Sequence, residues 1–174
     1  MYRLSVLGAL LCVATASAQL TPEVVVVEQP NAPLRITDFN AEHEGPSINT
    51  LLMRAEPPTV KYEVEFQNIS DQKVVAVRFG FAAFNLFDEY QSGLQFSSSE
   101  EIDSLGSYTL TTGANRLPDG SPYQTGLVYI DAVRLENGDI WKADRGSVAA
   151  RMMEIDGGYD LAKLNRYFDS SDRE

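Results

Sequence analysis

The stretch from Val60 to Phe87 constrains this chain most: VKYEVEFQ, then the polar NISDQ, then the apolar run KVVAVRFGFAAFNLF. In its first arm Val60, Tyr62, Val64 and Phe66 alternate with Lys61, Glu63, Glu65 and Gln67. A period of two belongs to a strand with one buried and one wet face. With NISDQ as its turn, the stretch predicts a central β-hairpin. In the second arm Val75, Val77, Phe79, Phe81 and Ala83 share a bulky face, and Val74, Ala76, Arg78, Gly80 and Ala82 a small one. Extended from Lys73 to Phe87 at roughly 3.3 Å per residue, this arm would reach about 45 Å, longer than most strands. A bend or bulge is therefore expected near Gly80 or Ala82-Ala83, where a strand can cross between two sheets.

The chain begins MYRLSVLGALLCVATASA, with one early charge at Arg3, an apolar and small-residue stretch, and Ala16-Ser17-Ala18 as an A-x-A cleavage site. This reads as a secretory signal peptide over residues 1–18, cut before Gln19. The apolar stretch is shorter than the roughly 20 residues of a spanning helix, so no stable membrane insertion is expected after cleavage. Leu11 precedes Cys12 where a lipoprotein signal needs a small residue, which argues against a lipid anchor. Residues 19–174 are one domain's worth of chain, enough to bury a single core. Cys12 is the only cysteine and leaves with the signal, so packing rather than disulfides must hold the domain together. Cysteine-ligated zinc, thiol-attached haem and thiol catalysis are excluded with it. The formal charge of −11 becomes one unit more negative without Arg3. Such a charge repels phosphate backbones and anionic lipid, so no nucleic-acid partner is expected.

Residues 19–33, QLTPEVVVVEQPNAP, form a proline-bounded leader whose Val24 to Val27 can add an edge strand. Leu34 to Phe39 is a first core strand, with AEHEGPSIN as its polar exit loop, and Pro57-Pro58 delivers the chain extended into Val60. FDEYQSG reads as a turn, LQFSS and YTLTT as short strands, and SSSEEIDSLGS and TGANRLPDGSPYQTG as loops. A second hairpin joins Leu127–Leu135 to Ile140-Trp141-Lys142 through Glu136-Asn137-Gly138-Asp139, where Asn-Gly fits a type I′ turn. Val128 and Ile130 are an odd step from Val133 and Leu135, so a β-bulge at Asp131-Ala132 is expected to place all four on the core side. The β-domain thus spans 34–144. Over 145–174, Val148, Met152 and Ile155 recur at helical spacing behind Asp144 or Ser147 as cap, and Leu161, Leu164 and Phe168 recur behind Asp160. Two short helices packed on the sheets are expected there.

YEVEFQNISDQKVVAVRFGFAAF, a Gly/Ser/Thr-rich stretch, and VYIDAVRLENGDIW together resemble small bacterial immunoglobulin-like or fibronectin-III-like β-sandwich domains of exported proteins. The resemblance covers roughly Leu34 to Lys142 and implies a mainly β, immunoglobulin-like β-sandwich with one or two short C-terminal helices. The Cys-Trp-Cys signature of true immunoglobulin domains is absent, and the resemblance implies no functional residue.

His43, the one histidine, lies in AEHEG and reads as a surface side chain, because one imidazole makes a poor zinc site. No G-x-S-x-G elbow accompanies it, which argues against a serine hydrolase. Acidic residues cluster at Asp88-Glu89, at Glu100-Glu101 with Asp103, at Asp119, and at Asp139 with Asp144. Calcium takes several oxygen ligands, and LPDGSP and EIDGGYD offer Asp119, Asp156 and Asp160 as metal candidates, though neither follows the EF-hand spacing. Paired carboxylates could also serve glycoside hydrolysis, which needs a fixed separation that sequence spacing does not give. Trp141, Tyr123 and Tyr108 are the candidates for a glycan or peptide platform, since planar rings stack on sugars and anchor interfaces. The competing reading of Trp141 is a cap on the core. Asn68-Ile69-Ser70 fits the N-glycosylation pattern, and equally a polar turn. The sequence therefore favours an exported, non-enzymatic binding or accessory module with a protein or glycan partner and no cofactor, over a calcium-dependent or hydrolytic domain built on acidic loops.

Overall fold

The structure, a computed structural model, describes residues 23–44, 47–49, 54–56, 59–112, 115–116, 124–158 and 162. The signal peptide expected at 1–18 and the helix expected after Asp160 lie outside them. In chain order the elements are β1 (Glu23–Val27), β2 (Leu34–Glu44), β3 (Ser47–Asn49), β4 (Arg54–Glu56), β5 (Thr59–Asn68), β6 (Val74–Phe84), β7 (Tyr90–Ser98), β8 (Ser107–Thr111), β9 (Asn115–Arg116), β10 (Thr125–Leu135), β11 (Ile140–Lys142) and α1 (Arg145–Ile155). One sheet has the order β1-β10-β6-β7, with β11 also on β10; the other has the order β2-β5-β8, with β9 on β5. A separate two-stranded ribbon, β3-β4, occupies part of the stretch read as loop. The protein is mainly β, in two sheets that share one core.

That core explains the alternation of β5. Val60, Tyr62, Val64 and Phe66 are all buried, and they face Val77, Phe79 and Phe81 of the other sheet. Phe66 meets Phe79 edge-on at 5.0 Å between centroids, Tyr62 meets Phe81 at 4.8 Å, and Phe39 of β2 stacks on Phe81 at 5.6 Å. Ring pairs at these separations add to the area they bury. Desolvation in this layer pushes the Tyr62 phenol well above its ordinary pKa.

The expected hairpin between β5 and β6 is not formed. β5 pairs with β2, β8 and β9, whereas β6 pairs with β10 and β7, so NISDQ carries the chain from one sheet to the other. Two half-buried strands joined by a polar segment look the same in sequence whether they pair side by side or stack face to face. Five residues span the roughly 10 Å between packed sheets with ease. What decides for stacking is Asn68. Its side chain is fully buried, and its amide donates to the carbonyls of Gln72 at 2.7 Å, Ile102 at 3.1 Å and Asp103 at 3.2 Å. Its Oδ1 accepts from the Ser70 amide and hydroxyl. Asn68 therefore pins the arch to the β7–β8 loop, and a glycan on its amide nitrogen would remove those bonds.

β6 does not cross between sheets either. It runs in one sheet from Val74 to Phe84. Its register with β7 does shift between Ala83 and Phe84, beside the expected place, with Gln91 of β7 as the extra residue, and a second irregularity falls at Val75, where Arg134 pairs with Ala76 but Leu135 with Val74. The small face seen in sequence has a specific cause. Tyr129 of β10 is the cross-strand neighbour of Gly80, and a Cβ there would lie 2.2 Å from the ring's Cζ. Above this row α1 lays Val148, Ala149 and Met152 on Ala82, Phe84, Leu127 and Tyr129, a second apolar layer outside the sandwich. A strand buried on both faces must carry small residues where a ring lies flat across it.

The bulge expected in β10 is present between Ile130 and Ala132. It keeps Val128, Ile130 and Val133 in the core with Leu135 packed against it. The extra residue, Asp131, is buried and accepts from Arg78 Nε at 2.6 Å, while its carbonyl accepts from Ala143 N–H. The turn that follows is not type I′. Gly138 alone has positive φ there, at 92°, its N–H donates to Leu135, and Leu135 N–H donates to Asp139. This is a three-residue loop with the glycine in the left-handed position. β11 then passes into α1, capped by Asp144, whose carboxylate accepts from the Gly146 and Ser147 amides. The Ser147 hydroxyl, and then the Gly146 amide, hold the Asp144 carboxyl below the usual carboxylate range.

Candidate functional site

The residues singled out in sequence are dispersed. Trp141 lies opposite Val133 on β11, half-buried with its ring packed against the core, while its neighbours Ile140 and Lys142 face outward. Tyr108 lies on β8 in the other sheet, half-buried and edge-on to Phe66 at 5.8 Å. Tyr123 lies outside the described residues, as do Asp119 and Asp160. Asp156 is engaged in structure: its Oδ2 accepts from the Tyr90 amide at 3.0 Å, tying the end of α1 to the start of β7. Among the described residues no three His, Cys, Asp or Glu side chains converge on a metal-sized space. His43 belongs to β2 rather than to a loop, in register with Val60.

Two concave sites that the sequence did not point to are found among the described residues: a shallow one of about 290 Å³ lined by Ala76, Arg78, Ala132, Arg134, Ile140 and Lys142, and a more enclosed one between β1 and β2. β1 and β2 are edge strands of different sheets, and the connection between them, residues 28–33, closes over the side of the sandwich. Beneath it a cleft of about 190 Å³ runs in toward the core, walled by Val26, Leu34, Ile36, Ile69 and Ile130. Each wall has a sequence cause. The valine run of β1 pairs parallel with β10 from Glu23–Thr125 to Val27–Tyr129 and stops there, so that Ile130, itself buried, lies past the end of β1 at the floor of the cleft. Leu34 and Ile36 open β2, and the arch brings in Ile69, whose N–H donates to the Pro33 carbonyl at 2.9 Å. Val26 and Ile69 remain more than a third exposed at the entrance.

Glu28, Gln29, Asn31 and Arg35 share the lining with these apolar walls, and one of them is held in place. Gln29 Oε1 accepts from the Asp144 N–H at 3.0 Å, which fixes the side chain across 115 residues of sequence. Its Nε2 is buried and makes no hydrogen bond among the described residues. A buried donor left so costs the fold about 1–3 kcal/mol of desolvation. Asn31, at φ 58°, turns the connection above it, and Glu28 and Arg35 border the mouth with opposite charges. Aliphatic walls, one fixed donor and two edge strands suit an extended segment whose side chains enter the cleft. The only signal in sequence was the four-valine run, which would be exposed if left unpaired; Gln29 carried none, because its partner lies at the far end of the chain.

No family model matches the chain, and no curated protein matches it. Among solved structures it is similar to Northeast Structural Genomics Consortium target SoR45, with a TM-score of 0.42 and 14% identity over 64% of this chain and 80% of that one. It is also similar to a hypothetical protein of Peptoclostridium difficile 630, with a TM-score of 0.47 and 10% identity over 79% of this chain and 99% of that one. At those values neither carries a fold or a function to this chain.

Proposed function

We propose that this chain is an exported, non-enzymatic β-sandwich module of the immunoglobulin-like kind, which binds an extended segment of a partner protein between β1 and β2. The observation that carries the reading is the cleft itself, with its aliphatic walls, the held Gln29 donor and an edge strand on either side. Strand addition at an edge takes affinity from main-chain hydrogen bonds and specificity from pockets for alternate side chains. The apolar leader ending Ala16-Ser17-Ala18 supports export.

The test is titration of the isotopically labelled protein with an extended peptide alternating valine and threonine. Binding is expected to move the amides of residues 24–36 and to slow their hydrogen exchange. Ala32→Trp, which fills the cleft mouth, is expected to weaken binding at least about tenfold while leaving the melting temperature within a few degrees. Shifts confined to other surfaces, or equal binding by the tryptophan variant, would overturn the reading. Export is checked separately by the N-terminus of the secreted form, expected at Gln19.

A further inference from the structure

The β6–β7 connection carries two consecutive apolar side chains on the outside of the molecule, Leu86 at 62% and Phe87 at 81% exposure. The other large apolar residues exposed among those described, such as Leu105, Ile140 and Met153, do not adjoin another in sequence. Scattered exposure is ordinary, but a paired leucine and phenylalanine at the tip of a hairpin is not. Nor is the tip loosely held. Asn85 Oδ1 accepts from the amides of Phe87 at 2.8 Å and Glu89 at 3.0 Å, and its Nδ2 donates to the Glu89 carboxylate at 2.9 Å. The Asp88 N–H donates to the Asn85 carbonyl and the Asn85 N–H to that of Glu89, both at 3.0 Å. Asp88 occupies the left-handed region at φ 58°, a conformation that costs a non-glycine residue free energy unless its surroundings fix it. At the base Phe84 packs edge-on against Tyr90 at 6.0 Å, so the tip stands on the double-sided core of β6.

A rigid turn that presents an aromatic side chain has the character of an interface anchor, because ordering it on binding loses little entropy. The charge beside it selects the kind of partner. Asp88 and Glu89 follow Phe87 directly, both exposed, in a chain of net charge −11. Anionic bilayers repel such a tip, whereas a protein socket with basic groups at its rim attracts it. We infer that Leu86 and Phe87 form a preformed anchor that inserts into an apolar socket on a partner protein, with basic side chains at the rim meeting Asp88 and Glu89. This surface lies on a different connection from the β1–β2 cleft, and its test does not depend on that site.

The test places photoreactive benzoylphenylalanine at position 87 of the full chain and irradiates it in the exported fraction of its own host, beside a control carrying the same group at Ile140. The expected result is one protein crosslinked from position 87 and not from 140, through a peptide that combines apolar residues with Lys or Arg. Binding of that protein is expected to fall at least about tenfold for Phe87→Ala, and severalfold for Asp88→Asn, which keeps the turn and removes the charge. It is also expected to weaken as salt rises. Phe87 is so exposed that the alanine variant should melt with the wild type, which separates a lost anchor from a lost fold. Phe87-dependent binding to phosphatidylcholine vesicles, with or without phosphatidylglycerol, would assign the tip to lipid and overturn the inference. So would a crosslink to a second copy of this chain, equal crosslinking from both positions, or none from position 87.

Discussion

At its start β6 is entered around Asn68, and at its end it is left around Asn85. Both side chains accept backbone N–H groups two residues on and donate their own amides. Asn68 reaches carbonyls at Ile102 and Asp103 that belong to another connection, and it does so from a fully buried position. Asn85 is half-exposed, and the partners of its side chain, Phe87 and Glu89, lie within four residues of it. One asparagine joins distant parts of the chain, and the other shapes only its own turn. The first fixes which sheet β6 enters, while the second leaves a surface turn free to carry an apolar tip. Burial and the span of the partners, not residue type, set how much each contributes.

The largest expected effect breaks the buried end. Asn68→Leu leaves the carbonyls of Gln72, Ile102 and Asp103 and the Ser70 amide without this side chain, and should destabilise the protein by about 3–5 kcal/mol in urea unfolding. A loss below about 1 kcal/mol would mean that water replaces the side chain and that the arch is not pinned by it. Between the two ends, Gly80→Ala drives a methyl into the Tyr129 ring under α1 and should cost about 3 kcal/mol. The double variant Gly80→Ala with Tyr129→Leu should recover part of that loss, and no recovery would mean that the glycine serves the backbone instead.

At the exposed end Asn85→Ala should cost about 1 kcal/mol, with faster hydrogen exchange confined to residues 85–89. Spread of that exchange into β5 or β10 would erase the distinction between the two ends. Asp144 is the helical counterpart of this local kind of support. Its carboxyl is held below the usual carboxylate range, so the protein with the charged cap gains stability above the unfolded-state pKa and loses it as pH falls through the lowered value. Asp144→Ala should therefore melt below the wild type at neutral pH, with the gap closing as the pH falls below about 4. A gap that stays constant through that range would show that the carboxylate does not support the helix.

Much of the fold was legible because its causes are local. Alternation in β5, the odd step in β10 that demands a bulge, the helical spacing of Val148 and Met152, and Asp144 ahead of them all follow from side chains that must be buried together and termini that need acceptors. The partner of each strand was not legible. A strand's pattern states how many of its faces are buried and leaves open which neighbour buries them, so β5 and β6 read as one hairpin although they stack in different sheets. The reason for glycine at position 80 lies 49 residues away at Tyr129, and the bond that holds Gln29 lies 115 residues away at Asp144. The cleft between β1 and β2 exists because β1 stops at Val27 beside Tyr129 and the chain then turns to the other sheet. Sequence determined a mainly β chain with a capped helix and the alternation that gives it a core. Tertiary structure alone decided the pairing and the cleft, because each depends on groups that only folding brings within hydrogen-bond or van der Waals reach.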